Sequence, residues 1–429
     1  MENSEQKKRY RAELEERGVL PEGFKAETVT FPFRPREKGG EEQHSMNLSA
    51  LLLPEGSPVF GGVFTQNRAP GAPVCVGRKI LPSERSYGVL VNNKIANVCA
   101  PGGEADAHEV TDAFTRAAGI PENGVFPAST GVIGWKLPVP EMKAGAAELW
   151  EKLKAGPCGS IVPLAEGIMT TDAFPKVRSI ECGSGRIVAA AKGAGMIEPD
   201  MATMLVFIAS DVTIDRRAGR KILSNTVSRT FNRISVDGDQ STSDMVLLFD
   251  SCMRDPVSKR FFEEALSEVC GKLAEDIVRN GEGTAHVIRV EVKGCRSEAE
   301  AAAYGKGIIN SPLVKTAVFG NDPNVGRIIM ALGDVADAID SPFHADRTEI
   351  RLGSDTVFSE GSFRLDEEKE RALSEYLRST AMAPEACGYP RHEECVEMTV
   401  DLGMGKARAE VIGSDLSYEY IKENADYRS

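Results

Sequence analysis

The sequence predicts a fold of the α+β class, and three observations support that prediction. The chain has 429 residues, of which 41% are hydrophobic and 27% charged, so it can bury a sizeable core in two or three domains. Strand-like and helix-like patterns follow one another without the regular alternation of a doubly wound parallel sheet. Gly281 and Gly283 then interrupt a long helical pattern, which indicates the start of a second, smaller domain.

The pattern along the chain divides it into three segments. Residues 1–45 are predicted to be an N-terminal extension, because a charged helix at 6–17 is followed by a stretch rich in Pro, Gly, Lys and Glu. Residues 46–282 are predicted to form the catalytic core, and residues 283–429 the C-terminal domain.

Strands are expected where β-branched and aromatic residues cluster or alternate, and helices where apolar residues recur every three or four positions. The predicted strands are 48–65, 87–98, 186–191, 204–214 and 286–292, with a strand and loop over 125–133 and hairpin strands within 349–364 and 397–411. The predicted helices are 105–118, 216–232, 261–278, 323–336 and 417–423.

Composition excludes several classes of function. A formal net charge of −13, without a block of Lys and Arg, argues against nucleic-acid binding. No apolar run approaches the length of a membrane span, and the charged N-terminus does not resemble a secretion signal. Nine scattered cysteines without a Cys-x-x-Cys pair make structural zinc an unfavourable interpretation and favour a reducing, cytoplasmic location.

The most informative segment is Lys192–Leu205, near the middle of the chain. A glycine-rich turn and a proline turn precede Ala202 and Thr203, and an apolar run follows over 204–209. A threonine hydroxyl is a weak nucleophile unless a base lies beside it. The α-amino group of Thr203 would be such a base, with a pKa of about 8, if the Ala202–Thr203 bond were cut. Taken alone, the segment is more typical of a turn leading into an ordinary strand than of a nucleophile.

This segment resembles the self-cleavage site of the ornithine acetyltransferase family, also called bifunctional glutamate N-acetyltransferase/amino-acid acetyltransferase. Seven further segments match the family in the same order, so the resemblance covers the chain from about residue 128 to its end. They are 128–134 (ASTGVIG), 169–172 (MTTD), 237–244 (DGD and STSD), 280–283 (NGEG), 310–317 (NSPLVKTA), 320–324 (GNDPN) and 424–429 (NADYRS).

The resemblance implies a fold and a site. The fold is a layered sandwich of sheets covered by helices, of the self-processing N-terminal-nucleophile type, and the tail of its smaller C-terminal domain returns to the active site. Cleavage lies between Ala202 and Thr203, Thr203 is the nucleophile, and Thr130 and Gly131 stabilise the oxyanion. The implied substrate-binding residues are Thr170, Lys192, Thr203, Glu282, Asn424 and Ser429.

Each of these residues also has a plain structural interpretation. Thr130 and Gly131 are typical of a β-turn, and Thr170 and its neighbour Thr171 of a helix cap or turn. Lys192 is typical of a solvated surface lysine, and Glu282 of a loop that ends a helix. The residues alone do not decide between Thr170 and Thr171 as the substrate ligand.

The implied activity is the transfer of acetyl from N2-acetyl-L-ornithine to L-glutamate through an acetyl-threonine, a step of arginine biosynthesis. The resemblance implies small-molecule substrates, no metal or organic cofactor, and two self-cleaved chains assembled as a heterotetramer. The sequence leaves open whether acetyl-CoA also serves as donor. The alternatives are an N-terminal-threonine amidohydrolase or aminopeptidase, an acyltransferase for another N-acyl amino acid, and a non-catalytic binding protein.

The chain departs from the family's pattern at four places: residues 92–97 (NNKIAN), His286, Val325 and Ser414. The N-terminal extension is also unusual for the family. None of these departures falls on the nucleophile or the oxyanion pair. They leave the preferred N-acyl substrate open.

Overall fold

The structure is a computed structural model, and it describes residues 2–39, 42–156, 159–198, 204–382 and 394–425. The chain divides into two compact units. The N-terminal unit comprises Met1–Asn232 and Asp239–Ile277, and the C-terminal unit comprises Arg233–Gly238 and Val278–Ser429. The predicted domain boundary after residue 282 lies close to the division after Ile277 and stays a prediction.

Twelve helices lie within the described part of the chain. They are α1 (Glu2–Arg17), α2 (Ala72–Ile80), α3 (Gly103–Ala118), α4 (Val139–Ala155), α5 (Val162–Gly167), α6 (Arg216–Arg229), α7 (Lys259–Arg279), α8 (Glu298–Asn310), α9 (Pro312–Phe319), α10 (Val325–Ala338), α11 (Glu367–Ser379) and α12 (Tyr418–Ala425). None of these described helices has the length and apolar character needed to cross a membrane.

The same part of the chain holds sixteen strands. They are β1 (Lys25–Phe33), β2 (His44–Ser57), β3 (Val59–Phe64), β4 (Ser86–Asn92), β5 (Val125–Ser129), β6 (Lys176–Cys182), β7 (Gly185–Lys192), β8 (Leu205–Thr213), β9 (Ile234–Ser235), β10 (Met245–Pro256), β11 (Val287–Cys295), β12 (Glu349–Leu352), β13 (Asp355–Ser359), β14 (Ser362–Phe363), β15 (Val396–Asp401) and β16 (Ala407–Ser414).

The N-terminal unit is a sandwich of two sheets. One sheet has the order β1-β2-β4-β5, and the other has the order β3-β10-β8-β7-β6. The ring of Phe126 on β5 packs edge-on against Phe60 on β3 and Phe249 on β10, with ring centroids 6.0 and 6.1 Å apart. Helices α3 and α4 cover the other face of the first sheet through buried residues such as Phe114 and Leu149. Together with the mixed sheet of the C-terminal unit, this arrangement confirms the predicted α+β class with sheets covered by helices.

The prediction that residues 1–45 form an appended extension is wrong for most of that segment. Strand β1 pairs antiparallel with β2 along its whole length, from Lys25 opposite Leu52 to Phe33 opposite His44. Leu14, Ala26 and Phe33 are buried, so both α1 and β1 contribute to the core of the N-terminal unit. The buried residues of β1, which are Ala26, Val29 and Phe33, recur after three and four positions, so the strand lacks the alternation that would have identified it.

The C-terminal unit is built on a seven-stranded sheet with the order β14-β13-β12-β15-β11-β16-β9. Its core joins apolar residues of β11 to residues of the covering helices, among them Tyr304, Ile308, Val314, Leu332 and Leu373. The sequence analysis predicts α10, as the helix over 323–336, but it does not predict α8, α9 or α11. Ser297 and Asp366 cap α8 and α11 by accepting backbone N–H groups, which is the signal that identifies their starts.

The expected hairpin over 397–411 is also wrong. Strands β15 and β16 do not pair with each other, because β11 lies between them, parallel to β15 and antiparallel to β16. The N–H groups of Met404 and Gly405 both bond to the carbonyl of Gly294, so the connection passes across the end of β11. A short connection therefore resembled a hairpin turn in the sequence.

Candidate active site

Several strands of the N-terminal unit end or begin at one place. In the first sheet, Asn92 ends β4 opposite Ser129, which ends β5. In the second sheet, Lys192 ends β7 opposite Leu205, which begins β8. Leu205 is in turn opposite Met245, which begins β10. The predicted oxyanion loop and the residues that flank position 203 therefore leave the sandwich from strand ends.

The loop that follows β5 has a conformation that requires glycine. Gly131 has φ +128°, and a Cβ atom at this position would lie 2.1 Å from the carbonyl carbon of Lys94. The N–H of Thr130 donates to the carbonyl of Asn92 at 3.1 Å, and the N–H of Val132 donates to the carbonyl of Lys94 at 2.8 Å. The loop is thus held against the segment after β4, with its backbone approaching closer than any side chain would permit.

The two sheets meet at a hydrogen bond between Lys192 and Thr130. The Nζ atom of Lys192 lies 2.9 Å from Oγ1 of Thr130. Both residues are buried, with exposed fractions of 2% and 3%. The surface-lysine interpretation of Lys192 is therefore wrong.

A buried carboxylate, Asp172, joins the Thr170 loop to the end of β7. Its Oδ2 accepts the N–H of Thr170 at 3.1 Å, and its Oδ1 accepts the N–H of Gly193 at 2.7 Å. The ammonium of Lys176 donates to the same Oδ1 at 2.6 Å, and both side chains are almost completely buried. Thr170 itself is half-buried, and Thr171 is exposed.

Asp172 carries its negative charge because cations surround it. Burial by itself raises the pKa of this carboxyl. The charges of Lys176 and Lys192, together with the N–H of Gly193, outweigh burial and hold the pKa of Asp172 well below its ordinary value. Sequence reasoning placed Asp172 in a matching segment but gave it no role, and Lys176 was not identified at all.

Asp244 is a further residue that sequence reasoning did not assign. It is fully buried, and its Oδ1 accepts the N–H of Met204 at 2.7 Å. Burial raises the pKa of Asp244 well above its ordinary value, against the N–H of Met204 and the charge of Lys192, which lower it. Its signal in the sequence is a carboxylate directly before the apolar run that becomes β10.

The proposed cleavage site lies outside the described residues. Ala202 and Thr203, as well as the terminal Ser429, belong to segments that the structure does not describe. Thr203 directly precedes Met204 in the chain. The Asp244–Met204 hydrogen bond therefore holds the first described residue after the predicted nucleophile.

The C-terminal unit brings together two of the predicted substrate-binding residues. The side-chain amide of Asn424 donates to Oε2 of Glu282 at 2.9 Å. Gly283 has φ +62°, and a Cβ atom there would lie 2.2 Å from the backbone nitrogen of Tyr420. The hydroxyl of Ser417 donates to the carbonyl of Gly283 at 2.5 Å. The Glu282 loop is thus fixed against the start of α12, and Asn424 lies near the end of that helix.

The described residues hold no cluster of three or more His, Cys, Asp or Glu side chains suited to a metal ion. Asp237, in the segment that superficially suggested a metal, accepts the hydroxyl of Tyr420 at 3.3 Å. The described residues around Thr130 can donate hydrogen bonds at the buried ends of the strands. They combine a hydroxyl, a glycine backbone and an ammonium.

Comparison with known proteins identifies the family. The family model described as "ArgJ family" matches residues 38–429. This chain belongs to the ArgJ family. The match includes the Thr130 loop, the Asp172 cluster and the Glu282–Asn424 pair, so all the geometry described above lies within the region that defines the family.

Two curated ArgJ relatives match most of the chain. The first is "Glutamate N-acetyltransferase Oat2" of Streptomyces clavuligerus, 38% identical over 382 residues, which cover 88% of this chain and 92% of the relative. The second is "Arginine biosynthesis bifunctional protein ArgJ" of Rhodococcoides fascians, 38% identical over 367 residues, covering 85% and 86%. Among solved structures, the ArgJ protein of Bacillus halodurans is 32% identical and has a TM-score of 0.45, over 52% of this chain and 98% of that chain.

Proposed function

We propose that this chain is a self-cleaving threonine acyltransferase that moves the acetyl group from N2-acetyl-L-ornithine to L-glutamate. Membership of the ArgJ family supports the reaction class. The observation that carries the proposal is the buried hydrogen bond between Lys192 and Thr130. Lys192 ends β7, and residue 203 lies in the chain between β7 and β8. An amidohydrolase, an acyltransferase for another N-acyl amino acid and a binding protein are outcomes that the experiment below separates.

The first reaction is proposed to be self-cleavage. The hydroxyl of Thr203 attacks the carbonyl carbon of Ala202, the C–N bond between the two residues breaks, and the proton passes to the nitrogen of Thr203. Water then hydrolyses the resulting ester, which frees the carboxylate of Ala202 and the hydroxyl of Thr203. The new α-amine, with an ordinary pKa of about 8, can accept a proton from the hydroxyl two atoms away.

The second reaction is proposed to be acetyl transfer by a double-displacement route. Thr203 takes acetyl from N2-acetyl-L-ornithine, which releases ornithine, and the acetyl-threonine then passes acetyl to the amine of glutamate. Each half passes through a tetrahedral oxyanion. Thr130 and Gly131 are proposed to stabilise it with a hydroxyl and a backbone N–H, because donors aimed at developing charge lower the barrier most.

The remaining predicted residues are proposed to contact substrate. Glu282 supplies a carboxylate suited to the side-chain ammonium of ornithine, and its hydrogen bond to Asn424 orients it. Thr170 and Ser429 are assigned to the substrate by the family resemblance alone. We further propose that the two chains of the cleaved protein assemble as a heterotetramer in the cytoplasm, with no metal or organic cofactor.

The decisive experiment combines intact-mass measurement with an acetyl-transfer assay. The wild type is expected to yield fragments 1–202 and 203–429 and to form N-acetylglutamate from N-acetylornithine and glutamate. Thr203→Ala is expected to stay in one piece and to be inactive. Thr213→Ala is the matched control, since Thr213 ends strand β8, which begins at Leu205, and its hydroxyl donates to the carbonyl of Arg254 at 2.7 Å.

The outcomes separate the alternatives. Release of acetate without N-acetylglutamate would identify an amidohydrolase, and transfer from a different N-acyl amino acid would identify another acyltransferase. Replacing N-acetylornithine with acetyl-CoA tests whether the enzyme is bifunctional. An uncut wild-type chain without transfer would refute the proposal and leave a binding protein.

A further inference from the structure

The ring of His286 lies buried between two hydrogen-bond acceptors of the C-terminal unit. Its Nδ1 lies 2.7 Å from Oδ2 of Asp415, and its Nε2 lies 3.2 Å from the backbone carbonyl oxygen of Leu377. Only 2% of the His286 side chain is exposed, and the Asp415 side chain is fully buried. Solvent has little access to the ring, so these two partners decide which of its nitrogens carry protons.

The two partners require both ring nitrogens to donate. A carbonyl oxygen can only accept, so Nε2 of His286 must carry a proton. Carboxylic acids are stronger acids than imidazolium ions, so Asp415 is the carboxylate and Nδ1 carries a proton as well. The geometry therefore fits an imidazolium at position 286. Its charge is also favoured by α11, because Leu377 lies in the last turn of that helix, where the helix dipole favours a cation.

The same partners fix the backbone beside the ring. Oδ1 of Asp415 accepts the N–H of Ala285 at 3.0 Å, and the N–H of Asp415 donates to the carbonyl of His286 at 3.1 Å. The carbonyl of Ala285 accepts the N–H of Met382, which follows α11, at 2.8 Å. His286 thus joins three parts of the C-terminal unit, which are the residues before β11, the connection from β16 to α12, and the end of α11.

The Glu282 loop and α12 are joined directly beyond this junction. Ser417 lies in the connection from β16 to α12, and its hydroxyl donates to the carbonyl of Gly283 at 2.5 Å. Asn424, near the end of α12, donates its side-chain amide to Oε2 of Glu282 at 2.9 Å. The orientation of the Glu282 carboxylate therefore depends on the loop and the helix keeping their positions.

We infer that His286 is a positioning residue for the proposed donor site. Its imidazolium ties the residues before β11 to α11 and to the connection that leads into α12. This holds the carboxylate of Glu282 where it can pair with the side-chain ammonium of N2-acetyl-L-ornithine. The inference rests on the proposed function and deepens it, since it assigns part of the selectivity for the acetyl donor to a residue that does not touch the substrate.

The test compares two acetyl donors on cleaved enzyme. N2-acetyl-L-norvaline has the carbon chain of N2-acetyl-L-ornithine without the terminal ammonium, so it offers Glu282 no partner. His286→Gln removes the charge and leaves one side-chain nitrogen to face the two acceptors. It is expected to raise KM for N2-acetyl-L-ornithine about fivefold, less than the loss of Glu282 itself, with kcat within about twofold of the wild type. For N2-acetyl-L-norvaline, kcat/KM is expected to stay within about twofold.

Two further variants separate positioning from general stabilisation. His286→Lys supplies a cation whose ammonium can donate to both acceptors, so it is expected to regain most of the selectivity for N2-acetyl-L-ornithine. In a Glu282→Gln background, His286→Gln is expected to raise KM no further, because His286 acts through Glu282.

The controls keep the result interpretable. His344→Gln is the matched control, since His344 lies in the connection between α10 and β12 of the same unit, and it should leave the kinetics of both donors unchanged. Intact mass gives the cleaved fraction by which kcat is normalised, and thermal melting checks folding. If His286→Gln yields no folded protein, Asp415→Asn takes its place with the same expected change in selectivity, because it removes the charge of the pair and keeps the shape of the side chain.

A folded His286→Gln enzyme with wild-type selectivity would overturn the inference, as would equal losses with the two donors or a loss confined to kcat. Additive effects of His286→Gln and Glu282→Gln would also overturn it, and so would a His286→Lys enzyme as impaired as His286→Gln. Failure of the proposed function is recognised separately. In that case the wild type itself would form no N-acetylglutamate from either donor.

Discussion

Replacing Gly131 with alanine tests the oxyanion loop directly, because the structure shows what the added methyl group would meet. A Cβ atom at this position would lie 2.1 Å from the carbonyl carbon of Lys94 and 2.6 Å from the nitrogen of Ile95. Both are backbone atoms, which cannot rotate away as a side chain can. The φ of +128° adds a conformational cost of about 1–3 kcal/mol for a residue other than glycine.

The loop must therefore move to accept Gly131→Ala, and the N–H of residue 131 moves with it. Loss of one oxyanion donor lowers kcat by about 10²–10³-fold, or about 2.7–4 kcal/mol, and we expect a loss of this size. KM should change little, because ground-state binding does not use the donor. The assay is steady-state acetyl transfer by the cleaved enzyme, with the melting temperature recorded in parallel.

Gly134→Ala is the matched control in the same loop. Gly134 also has a positive φ, +88°, but its added Cβ would have no atom within 4 Å. The control should lose about 1–2 kcal/mol of stability from backbone strain and keep its kcat. A folded Gly131→Ala enzyme with wild-type kcat, or equal losses of kcat in both variants, would refute the assignment of this loop.

Four more predictions follow from charged residues of the candidate site. Asp244→Leu leaves the Met204 N–H without its acceptor and should slow self-cleavage, as followed by intact mass after cell-free synthesis. Asp250→Leu is the control, on the strand β10 that Asp244 directly precedes. It removes the acceptor of the Cys252 N–H and should lose similar stability, about 1–3 kcal/mol, but cleave normally. Equal rates of self-cleavage in Asp244→Leu and Asp250→Leu would contradict a role of Asp244 in cleavage. Lys176→Met removes the ammonium that pairs with the buried Asp172 and should cost about 3–5 kcal/mol in urea unfolding, whereas Lys152→Met on the exposed face of α4 should cost little. Because the folded pKa of Asp172 is lowered, its stabilising effect should be complete above its unfolded pKa, about 4, and vanish as the pH falls; Asp172→Asn should flatten that acid arm. Glu282→Gln should raise KM for N-acetylornithine about tenfold with little change in kcat, while Glu419→Gln, one turn before Glu423 on α12, should match the wild type.

Local patterns predicted the elements whose stabilising contacts are close in sequence. The helical spacing of Ile222 and Val227 identified α6, because both face the core. The relation between β15 and β16 could not be read in the same way. Their common neighbour β11 begins at Val287, more than a hundred residues earlier, and no local feature of 397–411 records that pairing.

The candidate site shows the same limit. Thr130 and Gly131 were found from a motif, but the partner of Thr130 lies 62 positions away on another sheet. Lys176 follows Asp172 by four residues, yet no helix joins them, so the spacing alone gives no reason to pair them. Asp244 meets Met204 across 40 positions because β8 and β10 run parallel from a common edge. Such pairs follow from topology, which sequence reasoning did not resolve.

The departures from the family's pattern fall on residues that brace the structure. Asn92 donates its side-chain amide to the carbonyl of Ile95 at 2.8 Å, and Asn93 donates to the carbonyl of Met169 at 3.0 Å. The altered segment thus still holds the loops that carry Thr130 and Thr170. His286, where the family commonly has lysine, is buried, and its ring contacts Asp415 at 2.7 Å and the carbonyl of Leu377 at 3.2 Å.

Ser414 and Val325 also make structural contacts. The hydroxyl of Ser414 donates to the carbonyl of Val236 at 3.2 Å, and Val325 is buried at the start of α10. The described contacts of these side chains are with neighbours in their own unit. We therefore expect the departures to leave the proposed acyl-transfer step unchanged. Divergence that changed the proposed chemistry would instead fall on the residues proposed to carry it, such as Thr130 and Gly131, which lie in a segment that resembles the family's pattern. Any change in specificity must then act through the groups that meet the substrate, and comparing acetyl transfer from N-acetylornithine with transfer from other N-acyl amino acids measures it directly.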